Sequence, residues 1–167
     1  MTGCDSGLGY GTAIELHKRG YQVIAGCYTA NGARKIQEEA DAITKARGST
    51  ESSDLATNLH TVQLDVTSEE SIQAAIRCIN AIAPSGVDVL VNNAGTMAGA
   101  NLVEFTPIGT YQQMMDVNFF GIVRVCQAIL PLMKQRAADG KRARIVNVSS
   151  FLGRVRKRRT MAIALIL

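Results

Sequence analysis

Thr2-Gly3-Cys4-Asp5-Ser6-Gly7-Leu8-Gly9 opens the chain, and the reading of this stretch decides the fold. Glycines in a G-x-x-x-G-x-G string let backbone N–H groups approach a bound anion with no Cβ in the way. A helix starting where the turn ends adds the partial positive charge of its N-terminus. The next residues suit such a helix. Ala13, Ile14 and Leu16 are apolar, His17, Lys18 and Arg19 are polar, and Gly20 reads as the residue that ends it. The string lacks the Gly-Lys-Ser/Thr of a nucleoside-triphosphate loop. Alone, it fits an ordinary glycine turn as well as a pyrophosphate cradle, so the order of the surrounding segments has to decide.

Working outward, residues 21–27 read as a buried strand centred on Val23, Ile24 and Ala25. Residues 29–46 read as a helix with Arg34, Lys35, Glu38 and Glu39 on one side. Residues 47–58 are polar and rich in Ser and Thr, and read as a surface loop. Residues 59–64 form a second strand in this reading. Thr67-Ser68-Glu69-Glu70 then matches a capping box with Thr67 at the N-cap, opening a helix that runs to about Ile82. Pro84-Ser85-Gly86 is a turn, and residues 87–91 are a third strand closed by Asn92-Asn93-Ala94-Gly95. A long helix is expected over residues 110–136, kinked at Pro131. Residues 144–148 are a fourth strand that ends at Ser149-Ser150. Strands separated by helices imply parallel pairing with right-handed crossovers. The expected fold is α/β, a Rossmann-like doubly wound parallel sheet, with no internal repeat and no second domain.

Composition narrows the function classes. The chain has 167 residues, 47% hydrophobic and 5% aromatic, as expected for an aliphatic core with strands buried on both faces. The net charge of +4 is local: Arg154, Arg156, Lys157, Arg158 and Arg159 supply five positive charges, and residues 154–167 contain no acid. Without them the body carries 13 basic against 14 acidic residues, which argues against a nucleic-acid-binding surface. Cys4, Cys27, Cys78 and Cys126 form no C-x-x-C pair and read as reduced thiols of an intracellular protein. His17 and His60 are isolated, so no metal site is expected. No apolar run approaches the roughly 18 residues of a membrane span, and no secretory signal is read at the N-terminus.

Five motifs now stand in a fixed order, and together they resemble the short-chain dehydrogenase/reductase family. Thr2-Gly3-x-x-x-Gly7-x-Gly9 is similar to that family's cofactor-binding pattern. Asp65 and Val66, in Leu64-Asp65-Val66-Thr67, match the acid and its neighbour beside the adenine ring. Asn93, Ala94 and Gly95 match its N-N-A-G motif. Asn118 matches the helix asparagine that supports a proton relay, and Ser150 the catalytic serine. The resemblance implies a nicotinamide cofactor held by Thr2, Gly3, Asp5, Ser6, Gly7, Leu8, Gly9, Cys27, Asp65, Val66, Asn93, Ala94 and Gly95. It implies hydride transfer to or from an alcohol, with the cofactor carrying the hard chemistry. Thr2-Gly3-Cys4-Asp5-Ser6-Gly7 and Ser150-Phe151-Leu152-Gly153 look like the retinol, hydroxysteroid and hydroxybutyrate dehydrogenase branch. Its substrates are apolar secondary or allylic alcohols: retinoids, steroids or hydroxy acids. In this family the helix over 110–136 pairs subunits, so a homo-oligomer is expected.

Each residue also has a plainer reading. Asp65 could brace the start of a helix, Asn93 could serve a turn, and Ser150 could bond to backbone at a strand end. Asn118 is mildly unfavourable inside a helix, which hints at a role. At the end of the strand over 21–27, an acid would bind the ribose 2′-OH of NAD and an Arg the 2′-phosphate of NADP. Cys27 and Tyr28 stand there, so the strand end does not decide, and the resemblance leans to NAD.

Two departures matter. The family carries an apolar strand before Thr-Gly, and here Met1 alone precedes Thr2, so a gap or two unpaired edges are expected mid-sheet. The family's Tyr-x-x-x-Lys pair, whose tyrosinate exchanges a proton with the substrate oxygen, has no counterpart: no Tyr follows Tyr111 and no Lys follows Lys157. The expectation is a partial dinucleotide-binding domain over 1–153, without the substrate-binding part and without turnover. The alternative is a non-catalytic dinucleotide-binding or heterodimerising fragment. The tail over 154–167 is basic, then apolar. It matches nuclear-localisation and acidic-lipid patterns, but reads better as a frame, splice or gene-model departure.

Overall fold

The structure, a computed structural model, describes residues 1–47, 58–97, 99 and 103–150. The expected polar loop falls largely on residues 48–57, and the basic and apolar tail on 151–167; both lie outside the described residues. The chain forms β1 (Val23–Cys27), β2 (Leu59–Gln63), β3 (Val89–Asn92) and β4 (Arg144–Asn147). Between them run α1 (Gly7–Lys18), α2 (Ala30–Arg47), α3 (Glu69–Ile82), α4 (Ile108–Met115) and α5 (Gly121–Ala138). All strand pairing is parallel, and helices connect the strands, as the expected doubly wound fold requires.

The sheet is divided. β1 pairs with β2, β3 pairs with β4, and β1 and β3 are not joined to each other. Among the described residues, the segment at Met1–Thr2 supplies the backbone link between them. Thr2 forms an isolated parallel bridge with Gly26 and donates its N–H to the Val91 carbonyl at 3.0 Å. Below that bridge lies a groove of about 550 Å³, lined by Val23, Ile24, Leu64, Ile72, Leu90 and Val125 among others. This is the mid-sheet gap expected from the sequence.

Each half-sheet has its own core. One contains Cys4, Ala13, Ile14, Val23, Ala25 and Ile36; the other contains Val66, Ile72, Leu90, Val125, Ile129 and Met133. Burying Ile36 or Ile72, both almost fully enclosed, contributes about 1.5–3 kcal/mol each. His17 was assigned to the polar side of α1, but it is buried. It lies three residues from Ile14 and four from Ala13, hence on their face of the helix, and its Nε2 meets the Thr44 hydroxyl at 3.2 Å.

Several boundaries differ from expectation for local reasons. The cap of α3 is Ser68, one residue later than expected, because its hydroxyl accepts from the Ser71 N–H while Thr67 bonds to Asp65 instead. The long helix over 110–136 is a helical run over 108–138, interrupted by a π-turn, Asp116–Phe120. Arg124 brackets that turn, with Nη2 on the Asp116 carboxylate at 2.7 Å and Nη1 on its carbonyl. Pro131 sits inside α5, eleven residues beyond the end of the π-turn. This run also corrects the expectation about membrane spans. Its most apolar 18-residue stretch has a mean hydropathy of 1.3, long and apolar enough to cross a bilayer by composition, a test that core helices also pass. Here Val125, Ile129 and Met133 of α5 pack into the second core. Finally, β4 is not buried on both faces: Ile145 and Val146 are exposed, and among the described residues β4 pairs only with β3.

Candidate functional site

The glycine turn lies where β1 and β3 end. Parallel strands bring their C-terminal ends to one edge, and in open α/β sheets ligands bind in the crevice outside that edge. Thr2, Asn93 and Ala94 lock the turn there. The Thr2 hydroxyl accepts from the N–H groups of Asn93 (3.0 Å) and Ala94 (2.9 Å). In return the Asn93 side-chain amide donates to the carbonyls of Thr2 and Gly3, both at 3.0 Å. These bonds join residues some 90 apart in sequence and tie the first βα turn to the loop after β3.

The glycines do different jobs. Gly3 has a φ of 70°, and a Cβ there would come within 2.8 Å of the Ala94 Cα. A Cβ on Gly9 would overlap the Gly3 carbonyl oxygen and the Asn93 amide. Both glycines therefore serve close backbone packing. Of the three turn glycines, only Gly7 combines a left-handed φ, of 61°, with open space beyond its missing Cβ. It begins α1, whose first turn contains no acid and whose N-cap, Ser6, makes no side-chain capping bond. Ser6 and Leu8 are exposed beside it. The start of α1 is thus exposed at Gly7 and Leu8 and has no side-chain cap, which fits a pyrophosphate.

Asp5 is anchored to the end of β1. Its Oδ2 accepts from the Tyr28 N–H, and its Oδ1 from the N–H and hydroxyl of Thr29, all at 2.8 Å. Burial raises its pKa, but the bonds from Tyr28 and Thr29 outweigh this, so the carboxyl titrates below its usual range. Cys27, expected among the cofactor contacts, is fully buried. Its thiol belongs to the first core and its carbonyl accepts from the Leu64 N–H, so it presents no group to the crevice. Strand alternation places it: Val23, Ala25 and Cys27 share one face. Burial pushes the Cys27 thiol up to about 12 and the Cys4 thiol to about 11, so neither is a nucleophile at neutral pH.

The other expected residues reach the same edge. Asp65 follows β2, and its Oδ1 accepts from the N–H (2.8 Å) and hydroxyl (2.7 Å) of Thr67. Val66 turns its side chain inward, against the place where a Cβ on Gly121 would fall. Asn118 sits in the π-turn and clamps the loop after Gly95. Its Oδ1 accepts from the Thr96 N–H at 2.8 Å, and its Nδ2 donates to the Thr96 carbonyl at 2.9 Å. Ser150 lies three residues past Asn147, as Gly95 lies three past the register partner Asn92. The structure thus gathers Gly7, Asp5, Asp65, Gly95 and Ser150 beyond one sheet edge. Thr2, Gly3, Gly9 and Asn93 act through packing and hydrogen bonds that hold the turn. Thr29 and Thr96 were not foreseen. Only their partners, 24 and 22 residues away, give them a role.

Comparison with known proteins agrees with this arrangement. The model of the short chain dehydrogenase family matches residues 1–162. The chain is 40% identical over 156 residues to the 17-beta-hydroxysteroid dehydrogenase type 6 of Bos taurus, covering 93% of this chain and 43% of that protein. It is 35% identical to retinol dehydrogenase 5 of Mus musculus, covering 93% of this chain and 43% of that one. It is 38% identical to the mitochondrial D-beta-hydroxybutyrate dehydrogenase of Mus musculus, covering 93% and 41%. The chain therefore spans less than half the length of these relatives. Among solved structures, the 3-ketoacyl-(acyl-carrier-protein) reductase of Brucella melitensis, complexed with NADH, superposes with a TM-score of 0.79 at 26% identity, covering 98% of this chain and 60% of that one. The serine dehydrogenase of Escherichia coli shares the fold, with a TM-score of 0.78 at 24% identity, covering 99% and 67%. A turn locked by Asn93 at a parallel sheet edge, in a chain that the family model matches almost throughout, leads to one conclusion: the chain belongs to the short-chain dehydrogenase family.

Proposed function

We propose that this chain is the dinucleotide-binding part of an NAD(P)-dependent oxidoreductase that interconverts an apolar alcohol and its carbonyl. One observation carries the reading. The uncapped start of α1 opens onto free space at Gly7, on a turn that Thr2 and Asn93 hold rigidly to the end of β3. The nicotinamide cofactor, when bound, supplies the hydride chemistry. The chain's own residues bind and orient it: the α1 N–H groups take the pyrophosphate, Asp5 and Asp65 lie on the adenosine side, and Gly95 and Ser150 lie where the nicotinamide and the substrate oxygen meet. Asn118 sets the height of the loop at Thr96. The names of the relatives support a steroid, retinoid or hydroxy-acid substrate.

This 167-residue chain is proposed to bind without turnover, since its sequence has no Tyr after Tyr111 and no Lys after Lys157. That observation favours the second reading, a non-catalytic dinucleotide-binding or heterodimerising fragment. Residues 1–153 carry the nucleotide-binding part in either reading. Free thiols at Cys4, Cys27, Cys78 and Cys126 support an intracellular setting. The test is thermal unfolding of the whole chain with and without NAD+. Stabilisation that grows with NAD+ concentration supports the site, and its absence at millimolar NAD+ rejects it. NADH formation from a steroid, retinol or 3-hydroxybutyrate that disappears in Ser150→Ala would reject the proposal of no turnover.

A further inference from the structure

The end of β1 offers no acid to a ribose, since Cys27 is a buried thiol and Tyr28 carries no carboxylate. The structure brings a carboxylate to that place from another segment. Asp5 lies across the ends of β1 and the glycine turn, bonded to the N–H groups of both residues that follow β1. The Thr29 hydroxyl donates to Asp5 and accepts from the Gly32 N–H at 3.0 Å, so the start of α2 is fastened to the same carboxylate. Gly32 is needed there, because a Cβ on it would overlap Asp5 Oδ1. A carboxylate has about four acceptor positions. Three are filled by Tyr28 and Thr29, and the fourth, which meets only Asp5's own N–H, is left for a hydroxyl donor from outside. The nearest cations on α2 are engaged elsewhere. Arg34 bonds Asn31 and Glu38, and Lys35 lies over the Tyr10 ring. The charge fixed at this strand end is therefore negative.

We propose that Asp5, seated on Tyr28 and Thr29, makes the site select the dinucleotide with a free 2′-hydroxyl over the one carrying a 2′-phosphate. The remaining acceptor position takes the ribose hydroxyl, and the same charge repels the phosphate. This rests on the dinucleotide reading above. It differs from the usual arrangement in that the selecting acid comes from within the glycine turn and not from the end of the strand itself.

The experiment measures binding of NAD+ and of NADP+ to the whole chain by calorimetry, at ionic strengths of about 0.01 M and about 1 M, where screening lengths are about 30 Å and about 3 Å. The expected result is NAD+ binding about tenfold or more tightly at low salt, with the preference shrinking at high salt. In Asp5→Asn and Asp5→Ser the ratio of the two affinities falls about tenfold. Should both variants lose all binding, the salt series on the unmodified chain decides: a shrinking preference supports the proposal and a flat one overturns it. Equal binding of both dinucleotides, or tighter binding of NADP+, overturns it while leaving the site intact. Binding of neither overturns the dinucleotide reading and this proposal with it.

Discussion

The side-chain amide of Asn93 donates to the carbonyls of Thr2 and Gly3, and the Thr2 hydroxyl accepts from the Asn93 and Ala94 backbone. The two residues satisfy each other across a sheet whose halves are otherwise joined by little backbone pairing. Thr2→Val keeps the shape and removes the hydroxyl, which leaves two partly buried N–H groups without that acceptor. A loss of about 1–3 kcal/mol is expected. Urea unfolding should show a lower midpoint, and NAD+ should stabilise the variant less than the parent.

Gly9 and Gly11 lie on the same helix, and only one should tolerate a methyl group. A Cβ on Gly9 would overlap the Gly3 carbonyl and the Asn93 amide, whereas nothing lies within 4 Å of a Cβ on Gly11. Gly11→Ala should stabilise by up to about 1 kcal/mol through helix propensity. Gly9→Ala should destabilise by more than this and abolish cofactor-dependent stabilisation. A Gly9→Ala protein that still binds NAD+ normally would show that the turn can move off Asn93.

Asn118 holds Thr96 by both edges of its amide. Asn118→Ala should cost about 1–3 kcal/mol and loosen the loop after Gly95. Hydrogen exchange should accelerate at Thr96 while the cores around Ile36 and Ile72 keep their protection. Asn118→Asp keeps the acceptor for the Thr96 N–H but faces the Thr96 carbonyl with an oxygen, so it should behave like the alanine variant.

Asp5 and Asp88 both titrate below the usual carboxyl value of 3.8. For Asp88 the hydrogen bond from Arg136 is the main cause; for Asp5 the bonds from Tyr28 and Thr29 overcome the opposing effect of burial. A carboxyl whose pKa is depressed on folding adds stability above its unfolded pKa, and that contribution fades as pH falls through the folded value. Tm should therefore hold from neutral pH to about pH 5 and then fall as the acid range below 3.8 is entered. Asp88→Asn should flatten part of this fall. The pair at 2.7 Å is half-exposed on the Asp88 side, so the change should be small at neutral pH.

Much of this was legible in the sequence, because the patterns that carry it are local. The apolar segments located β1 to β4 within two residues at every end, and the parallel order followed from the intervening helices. What local pattern missed is set by distant partners. Thr67 fits a capping box until Asp65 takes it, which passes the cap to Ser68. Cys27 reads as a strand-end contact until the packing of β1 against α2 turns it inward. The π-turn at Asp116–Phe120 had only the misplaced Asn118 as a signal, and its Asp116–Arg124 bracket spans eight residues, beyond helix periodicity.

The outer side of the helical run leaves Phe119, Phe120 and Val123 exposed around that π-turn, with Ile108 further along. Exposed apolar groups in such a cluster mark an association surface more often than isolated ones do. A Phe120→Glu substitution should cost the monomer little, since Phe120 is 48% exposed and belongs to neither core. In a homo-oligomer it would bury a carboxylate against apolar groups, which is expensive without a partner charge. Sedimentation velocity should therefore show the parent chain above monomer mass and Phe120→Glu shifted to the monomer, with unchanged NAD+-dependent stabilisation. If parent and variant sediment alike as monomers, this face does not join two copies of the chain.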